Sequence, residues 1–196
     1  MKTKKYISLL MAIIMMLSLF AGCGSEGNTP SVSDDKDTLY LRLSSALQST
    51  DWQQTSAMEG NKITYVQLFE GLYGIDESAG GYYNLLAKDI QVSEDGLTYT
   101  FHLRDNKWSD GQAVVAGDYL YALQRQADPA NAWPLASDMF SIVGFEDIFG
   151  GNADMSTLGV TAPDDKTLVV TLNSADTGFL TNTDIFPCRK DSVEQY

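Results

Sequence analysis

The chain has 196 residues, 44% of them hydrophobic and 20% charged, a balance that supports a folded body and excludes a wholly disordered polypeptide. Its formal charge of −13 sets 26 acidic residues against 13 basic ones, a field that repels nucleic-acid phosphates and anionic lipid headgroups. That balance excludes partners without naming one.

Residues 1–22 have the layout of a secretory signal: the basic start MKTKK, an apolar run from Ile7 to Phe20, and the small pair Ala21-Gly22 before Cys23. The run is shorter than the roughly 20 residues a bilayer span needs. Its ending, LSLFAGC, resembles the bacterial lipobox, with Phe20 where Leu is usual. The resemblance implies that Cys23 is diacylated and begins the mature protein, anchored by two acyl chains worth about 0.8 kcal/mol per buried methylene. Cys188 is then the one thiol left, so no intrachain disulfide is expected and stability must come from the core.

Residues 23–37 are rich in Gly, Ser, Pro and Asp, with Val32 the only large apolar side chain after Cys23, and read as a flexible tether. Folded structure is expected over 38–196. Leu39, Leu41 and Leu43 alternate with Tyr40 and Arg42 in a half-buried strand pattern, followed by a polar loop containing Asp51 and Trp52. Ile63, Val66, Leu68 and Phe69 fit a helix over 59–69 that Gly71 stops. Leu72-Tyr73 and Tyr82-Tyr83 flank a Gly-rich turn and predict a short hairpin.

The clearest hairpin lies at 88–103. Its turn Ser93-Glu94-Asp95-Gly96 supplies an Asp-Gly reversal, and Leu97, Tyr99, Phe101 and Leu103 then alternate with Thr98, Thr100 and His102. One face is therefore apolar and the other polar, as in a sheet packed on one side. The same pattern recurs over Thr161–Leu172 around the turn PDDK, and helices are expected at 116–127, at 135–149 with interruptions, and at 177–182. Strands joined by hairpins but interleaved with helices indicate an α/β domain with a mixed sheet and covering helices.

Signatures of chemistry are sparse. The chain has no G-x-S-x-G elbow, H-E-x-x-H pair, C-x-x-C pair or P-loop, and a single histidine, His102, cannot build a histidine-based metal cluster. His102 reads as a surface or hydrogen-bonding residue, and Asp34, Asp35 and Asp37 as a solvated charge run in the tether. No calcium-loop spacing is present. Neither catalysis nor a metal or cofactor is expected. Aromatic residues offer a better lead, because Trp and Tyr combine apolar area with a polar handle suited to binding. Trp52, Trp108 and Trp133 all fall in loops or element ends. Trp108 reads as a cap on the core; Trp133 is open between a cap and a binding surface.

The turn Trp108-Ser109-Asp110-Gly111 follows the strand YTFHL and precedes the helix that begins at Ala116, with Asp118 in the first turn where the helix dipole favours negative charge. It reads as a structural corner, with Trp108, Asp110, Gly111 and Asp118 holding it. The run VSEDGLTYTFHLRDNKWSDGQAVVAGDYLYALQRQADP, with QLFEGLYGID before it and Leu168–Leu172, Phe179-Leu180 and Phe186-Pro187 after it, resembles the bacterial extracellular solute-binding proteins of the peptide/nickel class. Those are the oligopeptide-binding lipoproteins of ABC importers.

The resemblance covers essentially all of 38–196. It implies one mixed-sheet lobe of a periplasmic-binding-protein-like (class II) fold with a small inserted subdomain, the second lobe lying beyond this sequence. By the same resemblance, Trp133 in NAWPLA lines the pocket edge, and Leu47, Gln48 and Ser49 of the first loop are further ligand contacts. The implied partners are an oligopeptide ligand, held as an added strand and trapped by hinge closure, and a membrane permease. A monomer, lipid-anchored on the outer face of the cytoplasmic membrane, is expected. Two other readings stand beside it: a truncated surface lipoprotein acting through protein–protein contacts, and a relative that binds nickel chelates or another small solute. The sequence departs from the family pattern where Pro and Thr are usual and Ala113 and Val115 stand, and its first loop lacks the Pro-rich consensus. Without a hydroxyl at 115, the helix loses a side-chain N-cap.

Overall fold

In the computed structural model, the described residues are 49, 51–54, 67–76, 78–183 and 185–194. All of them fall in the compact unit Leu43–Tyr196; the other unit, Met1–Arg42, lies outside the described residues. The signal and Cys23, the tether, the expected strand at 39–43, and Leu47 and Gln48 therefore lie outside them. So does most of the helix expected at 59–69, of which Gln67 and Leu68 are seen as helical.

Two hairpins form the main sheet. Strands β3 (Ala87–Val92) and β4 (Thr98–Leu103) pair antiparallel, as do β5 (Val160–Asp164) and β6 (Thr167–Thr171), and β4 pairs with β6 to give the order β3-β4-β6-β5. The two-residue period of the sequence sets which side chains go inward. Tyr99, Phe101 and Leu103 on β4 are buried, and Leu168 and Val170 on β6 lie opposite them, with Phe101 facing Leu168 and Tyr99 facing Val170. The intervening Thr98, Thr100 and His102 are only half-buried. At the first hairpin's turn Gly96 adopts a φ of +70°, and the Asp95 carboxylate accepts from Leu97 N–H. That is the positive backbone angle the Asp-Gly pair is suited to provide.

A second, two-stranded sheet joins β1 (Tyr73–Asp76) to β2 (Gly81–Asn84), the hairpin expected around the Gly-rich turn. Every pairing among the described strands is antiparallel. A parallel partner that would make the sheet mixed is not among the described residues.

The helix expected at 116–127 is observed as α1 (Ala116–Ala127). Ala116, Tyr119, Leu123 and Ala127 recur at helical spacing and are buried, and α1 packs on β5 and β6 and against the short helix α2 (Phe145–Phe149). Within the interrupted 135–149 stretch, a single 3-10 turn at Ala136–Met139 is separated from α2 by Gly144. The break has a local cause: Gly144 has a φ of +74°, and a Cβ there would stand 2.4 Å from the Thr157 carbonyl oxygen. Side chains from the sheet, α1 and this connection form one core that includes Met139, Ile142, Phe145 and Phe179. The last elements, α3 (Phe179–Asn182) and α4 (Lys190–Val193), bring the chain back beside β1, where Leu72 N–H donates to the Ile185 carbonyl and the Tyr73 hydroxyl bonds Thr183.

The α1 N-terminus is capped from one side only. Val115 is extended, with φ −125° and ψ 161°, and has no polar side-chain atom to offer, so Asp118 N–H turns to the Val115 carbonyl at 3.0 Å. The reverse contact is present: the Asp118 carboxylate accepts from Val115 N–H at 3.1 Å. Replacing Val115→Thr adds the missing acceptor while keeping the branched shape. It is expected to stabilise the protein by about 1 kcal/mol, which raises the thermal midpoint by about 2–4 °C for a domain of this size. An unchanged or lower midpoint in a thermal melt would contradict the capping geometry.

Candidate functional site

The corner at 107–113 is built by hydrogen bonds within a few residues. Trp108 N–H donates to the Gln112 carbonyl, Gly111 N–H to the Trp108 carbonyl, and Lys107 bridges Ala113 as an isolated antiparallel pair. Gly111 has a φ of +90°, which a side chain would strain. The Trp108 indole Nε1 donates to Asp118 Oδ2 at 3.0 Å, so one carboxylate holds both the corner and the first turn of α1. The Asp118 carbonyl oxygen in turn accepts from Cys188 N–H at 3.1 Å. Burial pushes the Asp118 carboxyl above its usual range, and the hydrogen bonds from Val115 and Trp108 offset that only in part. Trp108, Gly111 and Asp118 therefore hold the corner together, and Asp110 ties it to the returning chain through Arg189.

Beside this corner lies a cavity of about 610 Å³ whose walls come from five separate stretches of chain. Trp52 and Asp51 contribute from the first loop, Phe69 from the end of the following segment, Trp108 from the corner, and Arg125 from α1. Pro187, Cys188, Arg189, Ser192 and Val193 close it from the returning chain. Its apolar base is a small cluster separate from the main core, in which Trp52 meets Phe186 edge to face at 5.7 Å, packed with Ala122 and Cys188.

Both guanidiniums on the wall are already occupied. Arg125 holds Asp51 in a two-pronged pair, Nη1 to Oδ1 at 3.1 Å and Nη2 to Oδ2 at 2.5 Å, and its Nη1 also reaches Gln53 Oε1 at 2.6 Å. Arg189 pairs with Asp110 and Asp191. With Asp118 nearby, four carboxylates face two guanidiniums, so a ligand carboxylate would find no uncompensated positive charge among the described residues of this wall. The cavity surface is mostly apolar and suits apolar or aromatic groups. No group of three or more His, Cys, Asp or Glu side chains suited to a metal ion is found among the described residues.

Cys188 is the buried free thiol on this wall. Burial pushes it up to about 11, against a smaller opposing pull from the Arg125 guanidinium.

The sequence-predicted ligand residues fall unevenly. Trp133 sits in the main core with 6% of its surface exposed, just after Ala132, which adopts a left-handed φ of +46°. Any ligand contact it makes is through that narrow exposed part. Ser49 is half-buried, and its Oγ accepts from Asp51 N–H at 3.0 Å. Cys23, Leu47 and Gln48 lie outside the described residues. Trp133 and Ser49 are absent from the cavity lining. Arg125, Asp51 and Gln53 escape a sequence reading because the contacts among them cross more than 70 positions, a distance at which no spacing rule applies.

The family described as bacterial extracellular solute-binding proteins, family 5 Middle, matches over residues 81–190. The chain is 34% identical over 202 residues to the periplasmic oligopeptide-binding protein OppA of Salmonella typhimurium, covering 99% of this chain and 36% of that protein. It is 31% identical over 205 residues to the dipeptide-binding protein of Lactococcus lactis subsp. cremoris, covering 100% of this chain and 35% of that protein. Among solved structures, that of Haemophilus influenzae OppA in complex with RPPGFSPFR aligns with a TM-score of 0.69 at 34% identity, over 76% of this chain and 30% of that one. Listeria monocytogenes OppA bound to peptide aligns with a TM-score of 0.65 at 30% identity, over 73% of this chain and 29% of that one. The chain thus spans about a third of the length of these relatives.

Two outcomes follow from the site geometry. Asp118→Ala leaves two N–H donors without their acceptor and is expected to cost about 2 kcal/mol, whereas Asp118→Asn, which keeps an acceptor oxygen, costs less. Because the folded carboxyl lies above its unfolded value, its favourable contribution is present at low pH and is lost as pH rises through the unfolded and then the folded value. The Asp118→Asn penalty should therefore be smaller at pH 7 than at pH 3 in urea melts, and the opposite order would refute the assignment. For Cys188, a thiol near 11 is about one-thousandth ionised at pH 8. Mass-resolved labelling with iodoacetamide at that pH should be far slower at Cys188 in the native protein than after unfolding, and equal rates would show that the thiol is not enclosed.

Proposed function

Since the chain belongs to the bacterial extracellular solute-binding proteins of family 5, we propose that it acts in the peptide-capturing component of an ABC importer. The whole protein takes an extracellular oligopeptide into a cleft closed by a second lobe and delivers it to a membrane permease, making and breaking no covalent bond. The observation that carries this reading is the shared backbone and one-third identity with Haemophilus influenzae OppA, whose structure holds a nonapeptide. The cavity supports it as well. Its apolar walls and internally paired arginines suit a ligand recognised by shape and backbone, which tolerates many side chains.

Within this proposal residues 1–22 are the signal, Cys23 carries lipid, 23–37 form the tether, and 38–196 contribute the first lobe with its inserted subdomain. The protein is a monomer held on the outer face of the cytoplasmic membrane. Ser49, with Leu47 and Gln48, contacts the ligand from the first loop, and Trp133 does so through its narrow exposed part. One observation favours a second reading, contact with another protein: Tyr82 and Tyr83 on β2 stand 42% and 52% exposed, beside Ile75 on β1.

Titration of the native protein with a library of tripeptides to pentapeptides, followed by tryptophan fluorescence and calorimetry, separates the two. Capture predicts saturable binding in the micromolar range or tighter, with a fluorescence change. A flat response across the whole library would remove the importer reading and leave the tyrosine face as the functional surface.

A further inference from the structure

We infer that Arg125 is a positioning residue for ligand capture: from α1 it holds the turn at Asp51–Gln54 against the cavity and does not itself bind the ligand's charge. The inference rests on the capture reading for its functional part, while its structural part stands on geometry alone.

Three features carry it. The guanidinium makes three contacts within the turn, both prongs on Asp51 and a third on Gln53, with 11% of the Arg125 side chain exposed. The turn it grips is anchored on its apolar side by Trp52, which packs on Phe186, Ala122 and Cys188, while its polar groups are tied to one another and to α1. Asp51 accepts from Gln53 N–H at 3.1 Å and donates from its own N–H to Ser49 Oγ, and Gln53, 1% exposed, returns to the helix by donating Nε2 to the Ala122 carbonyl at 2.8 Å. Finally, Asp51 and Trp52 are themselves cavity wall, so whatever moves this turn reshapes the cavity. An exposed ion pair would count for little. This one is largely covered and shares its donors with a buried amide, so loss of either partner strands the other. Lysine cannot replace arginine here, because an ammonium is a point donor and the contact needs a planar fork that serves two acceptors.

The test uses the native protein carrying Arg125→Lys, Asp51→Asn, or both. The probes are the peptide library above and the same library with C-terminal amides. Amide hydrogen exchange of residues 51–54 is read without peptide. If Arg125 acts by positioning, each single substitution weakens binding about tenfold, and the double substitution is no worse than either, because all three break one unit. The loss is equal for free-acid and amidated peptides, and exchange at 51–54 speeds up in each variant while β4 and β6 keep their protection. Loss confined to free-acid peptides on Arg125→Lys, with Asp51→Asn binding normally, would overturn the inference in favour of direct charge recognition. Unchanged affinity or unchanged exchange at 51–54 would also overturn it. Should Arg125→Lys fail to fold, Asp51→Asn reads the same unit from its other side. If the unsubstituted protein binds no peptide, the capture reading falls, and exchange at 51–54 still decides whether Arg125 holds the turn.

Discussion

The carboxylate of Asp118 is the tie on which the arrangement of this unit depends. It accepts from the indole of Trp108 and from the backbone of Val115, and the carbonyl of the same residue accepts from Cys188. The corner, the start of the helix and, from 70 positions further along, the returning chain meet at one helical turn. Burial makes the charge costly, as the upward shift of its carboxyl records, and that cost is tolerated because the same oxygen satisfies two donors that would otherwise be stranded. With Val unable to cap the helix from position 115, the load on Asp118 is greater than in a helix with a hydroxyl N-cap.

The other end of the same helix is fastened differently. At Arg125 the tie is a planar, two-pronged pair reinforced by a buried amide. Between the two ties α1 is held on the sheet by Tyr119 and Leu123, which are fully buried. The helix is therefore a fixed rail: one face completes the main core, and its two ends position the corner, the first loop and the returning chain around the cavity. The cavity is a product of long-range closure, and its shape follows from contacts that span most of the described chain.

These contacts also explain its chemical character. Guanidiniums at a cavity wall invite an anion-binding reading, yet here Asp51, Asp110 and Asp191 already hold them. Their role is architectural, and the exposed area they leave is apolar. A surface of that kind offers apolar contact area and few free polar groups. The main sheet contributes indirectly, by giving α1 a rigid surface to rest on.

Local order was legible in the sequence wherever one short-range rule was sufficient. Alternation along 97–103 and 167–172 identified the buried faces of β4 and β6, Asp95-Gly96 marked the reversal between β3 and β4, and the spacing of Tyr119 and Leu123 identified α1. The Trp-Ser-Asp-Gly corner was readable as structural for the same reason: its bonds close within ten residues. The break at Gly144 was anticipated only as an interruption, since its cause, the Thr157 carbonyl, lies 13 positions away. Trp133 illustrates the limit most plainly, because an aromatic beside Pro134 suits a core cap or a binding edge equally well, and only packing put it in the core.

Composition, periodicity and turn chemistry thus determined by themselves the charge, the hairpins and the principal helix. These depend on neighbours within a turn or a strand pair, and the sequence lists those neighbours in order. Which side chains meet across 70 or more positions was decided only by tertiary structure: Arg125 with Asp51 and Gln53, Trp52 with Phe186, and Asp110 with Arg189. No periodicity encodes such pairs, because they exist only once the sheet, the helix and the returning chain have packed and excluded every other partner.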